Sequence, residues 1–189
     1  TWGAEATDRL IRAVERDVPF RVVSGAIGGG TSPVTLAGTL VVQNAEVLAG
    51  IVLGQLVRSG TPMLYGTFAG VMDMRRGKTV LGGVELALMM GATAQLCAYY
   101  GIPFGYGTGG VSDAPLGDVQ AGFEKAQTVL LAALAGVEVI HDAVSGLLGG
   151  AMSISLEQMV IDNEICQNVN RILRGITVDE ESLAVEVIE

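Results

Sequence analysis

Glycine returns at a fixed interval along this chain: Gly25, Gly66 and Gly107 are 41 residues apart, and Pro62 and Pro103 keep the same interval. The residues around them recur in the same order. Val18-Pro19-Phe20 leads into Arg21-Val22-Val23-Ser24, Thr61-Pro62-Met63 into Leu64-Tyr65-Gly66-Thr67, and Ile102-Pro103-Phe104 into Gly105-Tyr106-Gly107-Thr108. A fourth unit on a shorter spacing runs from Gly136 through Val137-Glu138-Val139-Ile140-His141-Asp142 to Gly146, Gly149 and Gly150. A repeat of this kind is one supersecondary unit used several times. In each of the first three units an Xaa-Pro pair imposes extended backbone and stops the preceding helix. A short apolar run, a glycine-rich loop and a long helix-periodic stretch follow. The pattern predicts helices over residues 4–16, 33–58, 83–100, 118–135 and 155–174. The last is bounded by Ser155 as N-cap, Gln158 at the capping-box spacing and Gly175 as its stop.

Strands alternating with helices at this spacing give βαβ units and a parallel sheet. Near-equal units without a topological break favour a (β/α) barrel over an open doubly wound sheet. The fold class expected is therefore α/β, a partial TIM (β/α) barrel of about four units, with residues 1–189 as one domain. Half a barrel leaves two sheet edges open. A homo-oligomer or a missing half-barrel is expected to cover them. The chain starts at Thr1 without a methionine and ends at Glu189 without a helix stop, which reads as a piece of a longer protein.

Composition narrows the partners. With 11 basic and 20 acidic residues the surface repels phosphate backbones, so no nucleic acid is expected. The basic run Arg75-Arg76-Gly77-Lys78 reads as a solvated loop. The apolar stretch from Val34 to Val57 is interrupted by Gln43, Asn44, Glu46 and Gln55. It reads as a long helix packed on several sides, and no membrane partner is expected. Cys97 and Cys166 read as two buried free thiols of a cytoplasmic protein.

The chemistry of a βα barrel sits on the C-terminal ends of its strands. Those ends hold residues 24–32, 65–73, 106–113 and 141–145, where most of the informative polar residues fall. His141 is the only histidine, and with Asp142 beside it and Asp113 on the neighbouring loop it is a candidate for catalysis. The bland alternatives are a satisfied structural histidine and two turn aspartates. Tyr65 and Tyr106 occupy the same place in successive units and, with Phe104, are candidates for an aromatic cage around a cation. Their bland reading is filling of the barrel interior. Gly28-Gly29-Gly30-Thr31-Ser32 stands before a helix, as an anion cradle would, but lacks a Walker lysine and the GxGxxG spacing. It otherwise reads as a tight turn, or as room for a large flat ligand. No directly bound metal is expected, because neither CxxC nor His-rich spacing occurs.

Several runs resemble a known family. They are Gly30-Thr31-Ser32-Pro33-Val34-Thr35-Leu36-Ala37-Gly38, Tyr65-Gly66-Thr67, Met72-Asp73-Met74-Arg75, Gln120-Ala121-Gly122-Phe123-Glu124-Lys125-Ala126, Leu134-Ala135-Gly136 and Val160-Ile161-Asp162-Asn163-Glu164-Ile165. Together they resemble the trimethylamine:corrinoid methyltransferases. The resemblance implies a TIM barrel more than twice this length, and transfer of a methyl group from a methylated amine to a corrinoid (cobalamin). That Co(I) corrinoid would be carried by a partner protein docked over the strand ends. It leaves Gly28, Gly29, Gly107, Gly109 and Gly110 as candidate contacts of the corrinoid. The trimethylamine branch carries pyrrolysine near the loop that here reads Gly109-Gly110-Val111. That departure implies the branch whose substrates are quaternary amines such as glycine betaine, with Tyr65, Tyr106 and Asp113 as candidates to hold the cation. The alternatives are a silent half-barrel fragment and a phosphate- or nucleotide-binding barrel enzyme.

Overall fold

The computed structural model describes residues 2–188. Its frame is a parallel sheet in the order β1 (Phe20–Ser24), β3 (Met63–Thr67), β6 (Phe104–Gly107). Two small strand-end sheets accompany it. The first pairs β2 (Ile27–Gly28) with β4 (Gly70–Asp73), and β4 turns back into β5 (Lys78–Val80) as a hairpin. A second hairpin joins β7 (Leu147–Leu148) and β8 (Ser153–Ile154). The helices are α1 (Ala4–Glu15), α2 (Leu36–Val57), α3 (Val84–Tyr100), α4 (Val119–Leu134) and α5 (Leu156–Leu173), followed by two single turns, α6 (Glu180–Leu183) and α7 (Val185–Ile188). The five expected helices are thus present, with ends within three residues of those expected. Thr35, Asp118 and Ser155 each accept a bond from a backbone N–H three residues on. Gln158 does not complete a capping box; its side chain turns instead to Asp162.

The fourth unit departs from expectation. Residues 137–142 do not form a strand and touch the sheet through a single parallel bridge, Gly107 to Ile140. Gly107 N donates to Val139 and His141 N donates back to Gly107. Glu138 is diverted from strand duty, accepting a bond from Phe104 N at 2.9 Å. The two strand-end hairpins were also not foreseen, since each is too short for an alternating pattern to show.

Burial alternates along β1: Val22 and Ser24 are buried, while Arg21 and Val23 are exposed. The helices therefore cover one face of the sheet and leave the other open. The core lies on the covered face. Met63, Tyr65 and Phe104 pack there with Val47 of α2 and Leu86, Met90 and Cys97 of α3. A buried glutamine joins the layers: Gln43 of α2 donates to Thr93 of α3 and to the Tyr65 hydroxyl, and accepts from Thr67 of β3. By length and composition α2 is apolar enough to cross a membrane. Its polar residues point at protein: Asn44 bonds Tyr100, Ser24 donates to Glu46, and Gln55 caps the turn at Gly60 and Thr61. It is packed on one side, not several, for Val41 and Leu56 stay 70% and 79% exposed. Of the two cysteines, both free, Cys97 is buried and Cys166 only partly so.

Candidate functional site

One group of side chains gathers on the open face of the sheet. The Arg21 guanidinium of β1 lies 4.4 Å from the centre of the Tyr106 ring of β6. His141, delivered by the parallel bridge, lies 4.4 Å from the same ring, tilted by 40°. His141 Nδ1 is 2.8 Å from Asp142 Oδ1. In the neutral ring that nitrogen carries the proton and donates, leaving Nε2 free to accept. Burial, and then the Asp142 carboxylate, push the Tyr106 phenol above its ordinary range. It therefore works as a neutral hydrogen-bonding group. Thr108, one step beyond the strand, has a buried hydroxyl close to the Tyr106 phenol. Arg21 makes no ion pair among the described residues, so a stacked guanidinium faces open space beside a histidine.

Tyr65, Phe104 and Tyr106 do not form the expected cage. Tyr65 and Phe104 meet edge to face at 6.4 Å inside the helix-covered core. Burial drives the Tyr65 phenol up to about 12. Tyr106 stands on the opposite face. The cause is a register shift between Tyr65 and Gly66: Tyr65 pairs with Phe104, but Gly66 pairs with Tyr106, which leaves Gly105 as an extra residue. An interval of 41 in sequence thus ends on opposite faces in space. The exposed π face of Tyr106 is moreover taken by Arg21, a cation already in place.

Asp113 sits away from this group. Its Oδ2 accepts from Leu81 N and Gly82 N, just before α3, and its Oδ1 is buried without a partner. The glycines read for the corrinoid are closed in by protein. A Cβ on Gly28 would lie 2.9 Å from Thr39 Oγ1, and one on Gly107 2.9 Å from Val137. On Gly109 it would lie 2.8 Å from Ile140, and on Gly110 2.8 Å from the Ala143 backbone. Gly29 has a left-handed backbone and faces Met74. Their lack of side chains serves packing of the loops, and they form no open cradle for a broad ligand. Nor is there an anion cradle. The N–H groups of Gly29, Gly30, Thr31 and Ser32 all bond within the turn, and Ile27 N bonds Thr31 Oγ1. This removes the observation on which a phosphate- or nucleotide-binding reading stood. Among the described residues no group of three His, Cys, Asp or Glu side chains is placed to hold a metal.

Comparison with known proteins now bears on the chain. The profile of the family described as trimethylamine methyltransferase (MTTB) matches residues 1–189. The chain belongs to the trimethylamine methyltransferase family. It is 47% identical over 187 residues to the trimethylamine methyltransferase of Methanosarcina barkeri, and 46% identical to that of Methanosarcina thermophila. It is 43% identical over 169 residues to the glycine betaine methyltransferase of Desulfitobacterium hafniense strain Y51. These alignments cover 99%, 99% and 89% of this chain but only 37%, 38% and 35% of the relatives, so the chain spans little more than a third of their length. Arg21 was absent from the candidates, although a lone charge inside an otherwise apolar strand was its signal. Lys125 and Asp162 lie within two of the resembling runs, and both are wholly buried.

Proposed function

We propose that the full-length protein containing this chain moves a methyl group from a quaternary amine bearing a carboxylate, of the glycine betaine type, to a corrinoid held by a partner protein. Family membership along residues 1–189 is the observation that carries the reaction class. Identity does not select the amine, since relatives named for trimethylamine and for glycine betaine match almost equally. Two features favour the carboxylate-bearing substrate. Ordinary residues, Gly109-Gly110-Val111, stand in the loop near which the trimethylamine branch carries pyrrolysine. Arg21, stacked on Tyr106 and without a carboxylate partner among the described residues, suits a carboxylate ligand better than a bare cation.

The chain's own residues bind and orient in this scheme. In this reading the three βα units and the bridged segment after them are part of a TIM barrel, and an open cleft of about 620 Å³ along β1, lined by α1 residues and by Phe20 to Gly25, is the slot for the unit before them. Arg21 holds the substrate carboxylate, joined by His141 Nε2 when the ring carries its second proton, and Tyr106 keeps both groups in place. The methyl carbon–nitrogen bond breaks with its electron pair staying on nitrogen. A quaternary ammonium thus leaves as a neutral tertiary amine, with no proton to supply or remove. The corrinoid brings the nucleophile when bound. The test is to mix the full-length protein with Co(I) corrinoid and follow the Co(I) absorbance. It should fall with glycine betaine and stay flat with trimethylamine. The reverse result would replace the substrate, and a flat trace with every methylated amine would remove the reaction.

A further inference from the structure

Beneath the site lie two charges that take no part in it. Lys125 of α4 and Asp162 of α5 are 1% and 0% exposed, with Lys125 Nζ 2.9 Å from Asp162 Oδ2. Removing two charges from water costs so much that a well-packed apolar pair in the same place is often equally stable or more so. Stability alone is a poor reason for this pair, and its remaining bonds supply a better one. Lys125 Nζ also donates to the Gly110 carbonyl, in the loop after β6. Asp162 Oδ2 accepts from Gly146 N at 2.8 Å, in the loop after the fourth unit, and its Oδ1 is held by Gln158 Nε2 at 2.9 Å. Gly110 and Gly146 both have left-handed backbones, at φ +79° and +66°. The neighbours of Lys125 on α4 hold the first loop as well. Gly110 N donates to Thr128 Oγ1, and Ser112 Oγ and Asp113 N both donate to Glu124 Oε2. His141 and Asp142 lie on the segment between the two fastened loops.

We propose that Lys125 and Asp162 are positioning residues, a buried latch that locks the loop after β6 to the loop after residue 142 and thereby fixes His141 against Tyr106. Its link to methyl transfer rests on the function proposed above; the latch itself does not.

The experiment uses the full-length protein with the double variant Lys125→Met, Asp162→Leu, which replaces the pair by apolar groups. Hydrogen exchange over residues 108–113 and 141–147 should accelerate by about tenfold or more, while α2 keeps its native protection. The His141 ring resonance, assigned by its loss in a His141→Gln variant, should move. The KM for glycine betaine should rise about tenfold with a smaller change in kcat, as expected when a binding group is displaced. Native exchange in both loops with an unmoved His141 resonance would overturn the latch. So would equal acceleration in α2, which marks a general stabiliser. If the double variant does not fold, Asp162→Asn keeps shape and one acceptor, and the same exchange measurement decides. A wild-type protein that transfers no methyl group would remove the functional reading and leave exchange and resonance to judge the latch.

Discussion

Arg21 is the residue on which the proposed choice of ligand turns. A guanidinium on an aromatic face is held by about 0.5–1 kcal/mol when exposed, enough to orient it and too little to use it up. Its donors remain for a carboxylate. Replacing it as Arg21→Met removes a charge-assisted bond of about 1.5–3 kcal/mol. The KM for glycine betaine in the full-length protein should therefore rise by about tenfold or more. A quaternary amine without a carboxylate should be unaffected by the change; equal losses with both amines would place Arg21 elsewhere. A second residue-scale prediction concerns alkali. Burial raises the Tyr65 phenol from 10.0 to about 12 and the Cys97 thiol from 9.0 to about 12. Both are neutral when protonated, so the folded state holds their protons more tightly than the unfolded state. Their stabilising contribution is complete below pH 9 and is lost as pH rises towards about 12. The melting temperature should fall across that window, and less steeply in Cys97→Ala, which removes one of the two groups. An equal fall in both proteins would show that Cys97 is not a source of the slope.

Elements were more legible than faces. The repeated Xaa-Pro, apolar run and glycine mark the parallel strands, because chain stiffness and left-handed turns are local properties that residue types announce. The α5 N-terminus was legible for the same reason: Ser155 Oγ accepts from Gln158 N at 3.1 Å. Ser155→Ala should lower stability by about 1 kcal/mol, measured by denaturant unfolding. A change within error would mean that another acceptor takes over that N–H. What stayed hidden depends on pairing between distant strands. Nothing in Phe104-Gly105-Tyr106-Gly107 announces that Gly105 is extra, yet that one residue sends Tyr65 into the core and Tyr106 to the open face. Likewise Val137 to Asp142 has the composition of a strand. Glu138 ties it to Phe104 N instead, and one bridge is all that remains. His141 was legible as a strand-end residue, but its partners Tyr106 and Arg21 follow only from which strands lie side by side.

At the scale of the whole molecule, two of the exposed apolar surfaces among the described residues bear on assembly. One is the open sheet face, where Val23 is 41% exposed. The other is the outer side of α2, where Val41, Val52 and Leu56 are 70%, 55% and 79% exposed along a helix of 22 residues, about 33 Å long. The two call for different partners. In a ring of helices α1 and α3 already flank α2, so further barrel units would add beside β1 and beyond β6 and leave the outer side of α2 bare. The sheet face is what those units would enclose. Exposed apolar side chains of this kind favour association in a chain studied alone. The 189-residue chain should therefore run above its 19.5 kDa monomer mass in light scattering behind a sizing column. Val23→Lys should reduce the association if the sheet face drives it, and the pair Val41→Lys, Leu56→Lys if α2 does. In the full-length protein the first substitution should damage folding, because Val23 would face an enclosed interior. The second should leave folding intact and alter only the oligomeric state. A monomeric 189-residue chain at high concentration would show that neither surface is strong enough to associate. It would leave the enclosed-interior argument to the full-length Val23→Lys variant alone.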